Sequence, residues 1–156
     1  MARHIFTPED HRKGGLAHTH AFTREQRVKG GKARAAQAAV HRITHPTTAE
    51  VAARAAVATL TESVIYEYPI ETAPGLNQYI DIYATIDGQG VAVEVDGSNG
   101  WHNTNGKMAA YDESKARWCH DHGVKLVVIT VRTVEQGPEA IADSLRHQIA
   151  AQDIPF

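Results

Sequence analysis

The clearest alternation of apolar and polar positions lies between residues 79 and 96. Residues 79–86 and 91–96 each carry the two-residue period of a half-buried strand. Asp87-Gly88 between them is a hairpin dipeptide, suited to a tight turn whose central residues need positive φ. A two-residue turn there sets Ile86 against Gln89, Ala84 against Val91, Ile82 against Val93 and Ile80 against Val95, giving the ribbon an aliphatic face. Its other face sets Asp81 opposite Glu94, Tyr79 opposite Asp96 and Tyr83 opposite Ala92. Around this ribbon, Thr47-Thr48 opens an alanine-rich helical stretch to about residue 61, and residues 64–68 read as a first strand ended by Pro69. Residues 107–122 read as a helix closed by Gly123, 125–131 as a β-branched buried strand, and 138–151 as a final amphipathic helix with proline in its first turn. The order helix-strand-strand-strand-helix-strand-helix predicts an α/β fold with a mixed central sheet flanked by helices.

Upstream of residue 46 the pattern changes to a repeat. At an offset of 16, Phe6-Thr7 aligns with Phe22-Thr23, Glu9 with Glu25, and Lys13-Gly14-Gly15 with Lys29-Gly30-Gly31. Each copy reads as a short helix, with Thr as N-cap, Asp10 or Gln26 three residues on, and the Gly-Gly pair as its stop. Apart from alanine the segment is poor in apolar residues, so it is expected to order on a partner rather than alone. His45-Pro46 marks the boundary between an arm, 1–45, and a folded domain, 46–156.

Charge sharpens that division. Residues 1–45 hold nine Lys/Arg against three Asp/Glu, a net of +6, while the remaining 111 hold seven against fifteen, a net of -8. A basic arm on an acidic body suits a polyanion, since each phosphate contact releases condensed counterions. A merely solvated tail would carry the same charge. Arg12, Lys13, Arg24, Arg27, Lys29, Lys32 and Arg34 are the candidate DNA contacts, the lysines beside glycines that let a phosphate chain approach the backbone. The single Cys119 excludes an internal disulfide and a multi-cysteine zinc site. The histidine groups His18/His20, His41/His45 and His120/His122 lack the matched second pair of a closed zinc site. With no apolar stretch of membrane-spanning length, a cytoplasmic protein is expected.

The acidic face of the ribbon is where chemistry is expected. Like charges opposed across a sheet repel, so Asp81, Glu94 and Asp96 call for a compensating partner, and a divalent cation with oxygen ligands is the obvious one. Solvation of an ordinary polar face is the plainer alternative. The order Asp81, then Glu94-Val95-Asp96-Gly97, then His102, then Tyr111-Asp112 and a helix before an apolar strand resembles the PD-(D/E)XK nuclease superfamily, specifically its very-short-patch-repair-like branch, which includes phage homing endonucleases. The repeated arm resembles the short DNA-binding modules attached to such enzymes.

The resemblance implies a PD-(D/E)XK-like core and a metal-dependent endonuclease that hydrolyses phosphodiester bonds in double-stranded DNA, in a bacterial or phage-infected host cytoplasm. A catalytically inactive DNA-binding or regulatory protein on the same fold is the alternative. Asp81, Glu94 and the Val95 carbonyl would hold Mg²⁺, with Mn²⁺ as a substitute. His102 would serve as general base, and Asp112 would orient it or join the metal shell. Asp96 stands where the superfamily has lysine, a departure that favours the histidine-using branch. An auxiliary acid is expected among Glu50, Glu62 and Glu67, with Glu62 preferred. Trp101 is a candidate to stack on or wedge against a base. Monomer and homodimer both stay open.

Overall fold

The computed structural model describes residues 23–96 and 110–151, with the side chains of 110–112 excepted. Arg24–Thr44 forms helix α1, Thr48–Ala58 α2, Ala110–Asp121 α3, Val131–Glu135 the short α4 and Pro138–Ala151 α5; Val64–Ala73, Leu76–Ile86, Gln89–Asp96 and Lys125–Thr130 are strands β1 to β4. The strands form one mixed sheet in the order β1-β2-β3-β4, antiparallel except for β3 against β4. The parallel pairing follows from the connection, because α3 carries the chain back so that β4 can run alongside β3. The mixed α/β architecture with flanking helices is therefore as the sequence predicts.

Asp87 and Gly88 both take positive φ, 51° and 79°, as the dipeptide requires. They fix the register Ile86↔Gln89, Thr85↔Gly90, Ala84↔Val91, Tyr83↔Ala92 and Ile82↔Val93. The aliphatic face this creates packs against α2 and α5. Ile82, Ala84, Val91, Val93, Val127 and Ile129 meet Ala53, Val57, Ile141 and Leu145 in the main core. Fully burying side chains of this size is worth about 1.5–3 kcal/mol each, which makes this layer the principal source of stability. The opposite face carries a smaller cluster, in which Ile70, Ile80 and Ala92 meet Cys119 of α3, with Tyr68 and Trp118 at its edge.

Three elements depart from the sequence pattern. β1 continues through Pro69 to Ala73 rather than ending at the proline, which is tolerated because β1 is the edge strand of the sheet. Helix α1 runs unbroken through Gly30-Gly31, where the repeat predicts a stop. Its start is as predicted: Thr23 caps the helix through the Gln26 amide, and Gln26 returns the bond to the Thr23 amide. Beyond the glycines Ala39 is buried and Arg42 bonds to Glu67 of β1, and before them Val28 lies beside the Gly75 turn, so tertiary contacts at both ends hold the helix across its weak centre. The third departure is α4, a five-residue helix begun by the Thr130 cap in the connection to α5.

No helix among the described residues is long and apolar enough to cross a membrane.

Candidate functional site

The β2–β3 ladder stops one pair short of the acids. Its last pair is Ile82↔Val93, and the predicted pairs Asp81 to Glu94, Ile80 to Val95 and Tyr79 to Asp96 are not formed. In their place the Asp81 carboxylate reaches across, and the Val95 amide donates to Asp81 Oδ2 at 2.9 Å. A side chain substitutes for the backbone acceptor the ladder would have supplied, so the strands part at this level while β3 keeps its pairing with β4 through Asp96↔Thr130.

At the same level the apolar faces exchange partners. On β2, Ile82 packs in the main core and Ile80 in the cluster under α3, with Asp81 between them. On β1, Val64 and Tyr66 adjoin the main core while Tyr68 and Ile70 adjoin the α3 cluster, with Glu67 between them. Ile80 thus leaves the aliphatic face to which simple alternation assigns it. Glu67 takes φ 52°, a left-handed conformation that costs a non-glycine residue about 1–2 kcal/mol. That local twist lets consecutive even-numbered residues of β1 serve opposite layers and turns a glutamate into the interior.

Four carboxylates gather here. Glu50, in the first turn of α2, Glu67 and Asp81 each place an oxygen within 4.8 Å of the other two. Glu94 lies close enough that its charge and that of Asp81 act on one another. Two cations face them. Lys115 of α3, itself buried, donates from Nζ to Glu94 Oε2 at 2.6 Å, and Arg42 of α1 donates from Nε and Nη2 to Glu67 Oε2 at 2.9 and 2.6 Å. Glu67 Oε1 and Glu94 Oε1 are buried without a hydrogen-bond partner. Burial pushes the Glu94 carboxyl up to about 8, and the charge of Asp81 adds to that; Lys115 offsets only part of it. Asp81 is raised as well, by burial first, against the lowering effect of the Val95 amide and Lys115.

The sequence-predicted residues divide three ways. Asp81 and Glu94 are brought together, and Asp96 is buried at the end of β3, next along from the Val95 amide that holds Asp81. Glu62 is exposed in the connection between α2 and β1 and stands outside the cluster, where Glu50 and Glu67 lie with Asp81 instead. His102, Trp101, Arg12, Lys13 and the side chain of Asp112 lie outside the described residues. Lys115 escapes sequence reasoning because it sits on a helix, far along the chain from the strands it serves. Its signal was only that a lysine occurs in the helix following the acidic strand. On α1, Arg24, Arg27, Lys29 and Arg34 are exposed, whereas Lys32 is partly covered and lies 3.8 Å from Glu71. The exposed pair His41 and His45 stack on each other, and among the described residues the one group of potential metal ligands is Glu50, Glu67 and Asp81.

Comparison with protein-family models, with curated proteins and with solved structures finds no match to this chain.

Proposed function

We propose that the protein is a metal-dependent DNA endonuclease of PD-(D/E)XK type, with its active site at the parting of β2 and β3. The observation that carries this reading is the meeting of Asp81, Glu94 and buried Lys115 where the ladder ends. Carboxylates and an ammonium in one buried site are costly to stability, and such groups cluster where chemistry requires them.

The residues present fit a divalent cation. The donors are all oxygen, as Mg²⁺ and Mn²⁺ prefer, and Glu67 Oε1 and Glu94 Oε1 are buried with no hydrogen-bond partner among the described residues. Asp81 and Glu94, with the Val95 backbone alongside, are the residues the resemblance assigns to it. When bound, such an ion polarises a phosphodiester and lowers the pKa of water beside it. The protein's own groups supply the rest. Lys115 presents a fixed positive charge that can answer the charge developing on a phosphoryl group, a role that compensates for Asp96 standing where the superfamily has lysine. Its bond to Glu94 keeps both side chains oriented. His102 is the candidate general base, with a pKa ordinarily near neutrality.

The DNA partner is supported by the exposed cations of α1 and by the charge contrast between the two parts of the chain. The test is cleavage of supercoiled plasmid with Mg²⁺ or Mn²⁺, with and without EDTA, beside Asp81→Ala and Lys115→Met. Cleavage by the native chain alone is expected. Equal cleavage by both variants removes the site from the reaction, whereas salt-sensitive DNA binding without any cleavage identifies a binding protein on a nuclease-like fold.

A further inference from the structure

Lys115 holds one oxygen of Glu94 and Arg42 one oxygen of Glu67, and of the four acids it is Glu50, Glu67 and Asp81 that bring carboxylate oxygens to one point. We infer that a divalent cation is seated by Glu50, Glu67 and Asp81, rather than by Asp81 with Glu94. The inference rests on the reading above only in keeping Asp81 as a cation ligand; the other two ligands are new.

Glu67 carries the argument. Its side chain is wholly buried, and Arg42 engages Oε2 alone, so Oε1 is left with no hydrogen-bond donor. A buried carboxylate oxygen without a partner is expensive, and the Glu67 carboxylate also stands within 4.8 Å of carboxylate oxygens of Glu50 and Asp81. A divalent cation held between the three carboxylates would satisfy that oxygen and offset their mutual repulsion.

Spacing and chemistry agree. Oxygens opposed across one Mg²⁺ lie about 4.2 Å apart and those across Ca²⁺ about 5 Å apart, from their usual bond lengths. The three carboxylate oxygens stand within 4.8 Å of one another, so small side-chain rotations bring them onto one ion. Glu50 is pre-set for this. In the capping box at the start of α2 it accepts from the Thr47 amide through Oε2, and Thr47 accepts from the Glu50 amide, which fixes the side chain and leaves Oε1 for a ligand. With neither histidine nor thiol among the ligands, Mg²⁺, Mn²⁺ and Ca²⁺ are favoured over Zn²⁺.

The experiment is calorimetric titration of the full chain with Mg²⁺ and with Ca²⁺, alongside thermal melts with and without each ion. Wild type is compared with Glu50→Gln, Glu67→Gln and Glu94→Gln. Losing a ligand should weaken the ion by at least about tenfold, since even groups behind the ligands cost that much. Glu50→Gln and Glu67→Gln are expected to show this loss and to lose the ion-induced rise in melting temperature, while Glu94→Gln binds like wild type. Should Glu67→Gln fail to fold, Glu50→Gln decides, because an amide at that position keeps the Thr47 bond. Loss confined to Glu94→Gln, or no binding by wild type, overturns the seat. Plasmid cleavage is read separately: a chain that binds the ion through Glu50 and Glu67 yet never cuts DNA loses the nuclease reading and keeps this one.

Discussion

Glu94 is held in its raised state by surroundings that the unfolded chain lacks, and this ties stability to pH. Its carboxyl rises from an ordinary 4.5 to about 8 in the folded protein, so between these values the folded state binds the proton more tightly. The stabilisation is fully present below about 4.5 and is lost as pH climbs through about 8. Melting temperature measured in EDTA should therefore fall across that window. Glu94→Gln should flatten the fall while leaving a residue due to Asp81, whose carboxyl is displaced in the same direction. A steady or rising melting temperature for the wild-type chain would contradict the assignment. Cys119 behaves similarly: burial, then the charge of Glu94, pushes its thiol up to about 11, so it stays protonated at neutral pH. It should resist iodoacetamide in the folded protein and react once the chain is unfolded, as mass spectrometry would show.

Among the elements, α1 is the one whose sequence opposes its structure. Each glycine in a helix interior costs about 1 kcal/mol relative to alanine, and a Cβ built at Gly30 or Gly31 meets nothing within 4 Å. Gly30→Ala with Gly31→Ala should therefore stabilise the protein by about 2 kcal/mol, raising the melting temperature by several degrees for a chain of this size. No gain in a thermal melt would mean that the helix does not pass through these positions in solution. The same element shows what local pattern can and cannot convey. Thr23 and Gln26 announced the start of α1, because a capping box is a contact between near neighbours. Its continuation past the glycines depends on Arg42 reaching Glu67 and Val28 reaching the turn at Gly75, partners that only the folded chain brings near. The ribbon divides in the same way. Alternation from the Asp87-Gly88 turn gives the register as far as Ile82↔Val93. Beyond it, the left-handed Glu67 on another strand and the reach of Asp81 to the Val95 amide redirect both faces. Asp81 and Glu94 were legible as a pair because they lie on one hairpin. Glu50, Glu67 and Lys115 come from a helix, an edge strand and a later helix, and nothing in their spacing joins them.

At the scale of the whole molecule, α1 belongs to the body on which the sequence would hang it as an arm. It lies along the β1–β2 hairpin, with Val28 against the Gly75 turn at one end, Lys32 near Glu71, and Arg42 bonded to Glu67 at the other. Its exposed arginines and lysine thus share one helix with the guanidinium that holds an acid of the candidate site. Two truncations separate these roles. Removing residues 1–22 takes away the first repeat and leaves the Thr23 cap, α1 and its contacts in place; the protein should melt as before and bind DNA more weakly, with a shallower salt dependence. Removing residues 1–45 also strips Arg42 from buried Glu67. Breaking a buried pair by removing one partner costs about 3–5 kcal/mol, and the lower end applies because Arg42 is itself partly open to solvent. That is a large share of the roughly 5–15 kcal/mol available to a domain. The longer truncation should melt many degrees lower, and divalent ions should restore more of its melting temperature than they add to the full chain, because the guanidinium no longer competes for Glu67. Equal melting temperatures for the two truncations would show that Arg42 contributes nothing to the acidic cluster.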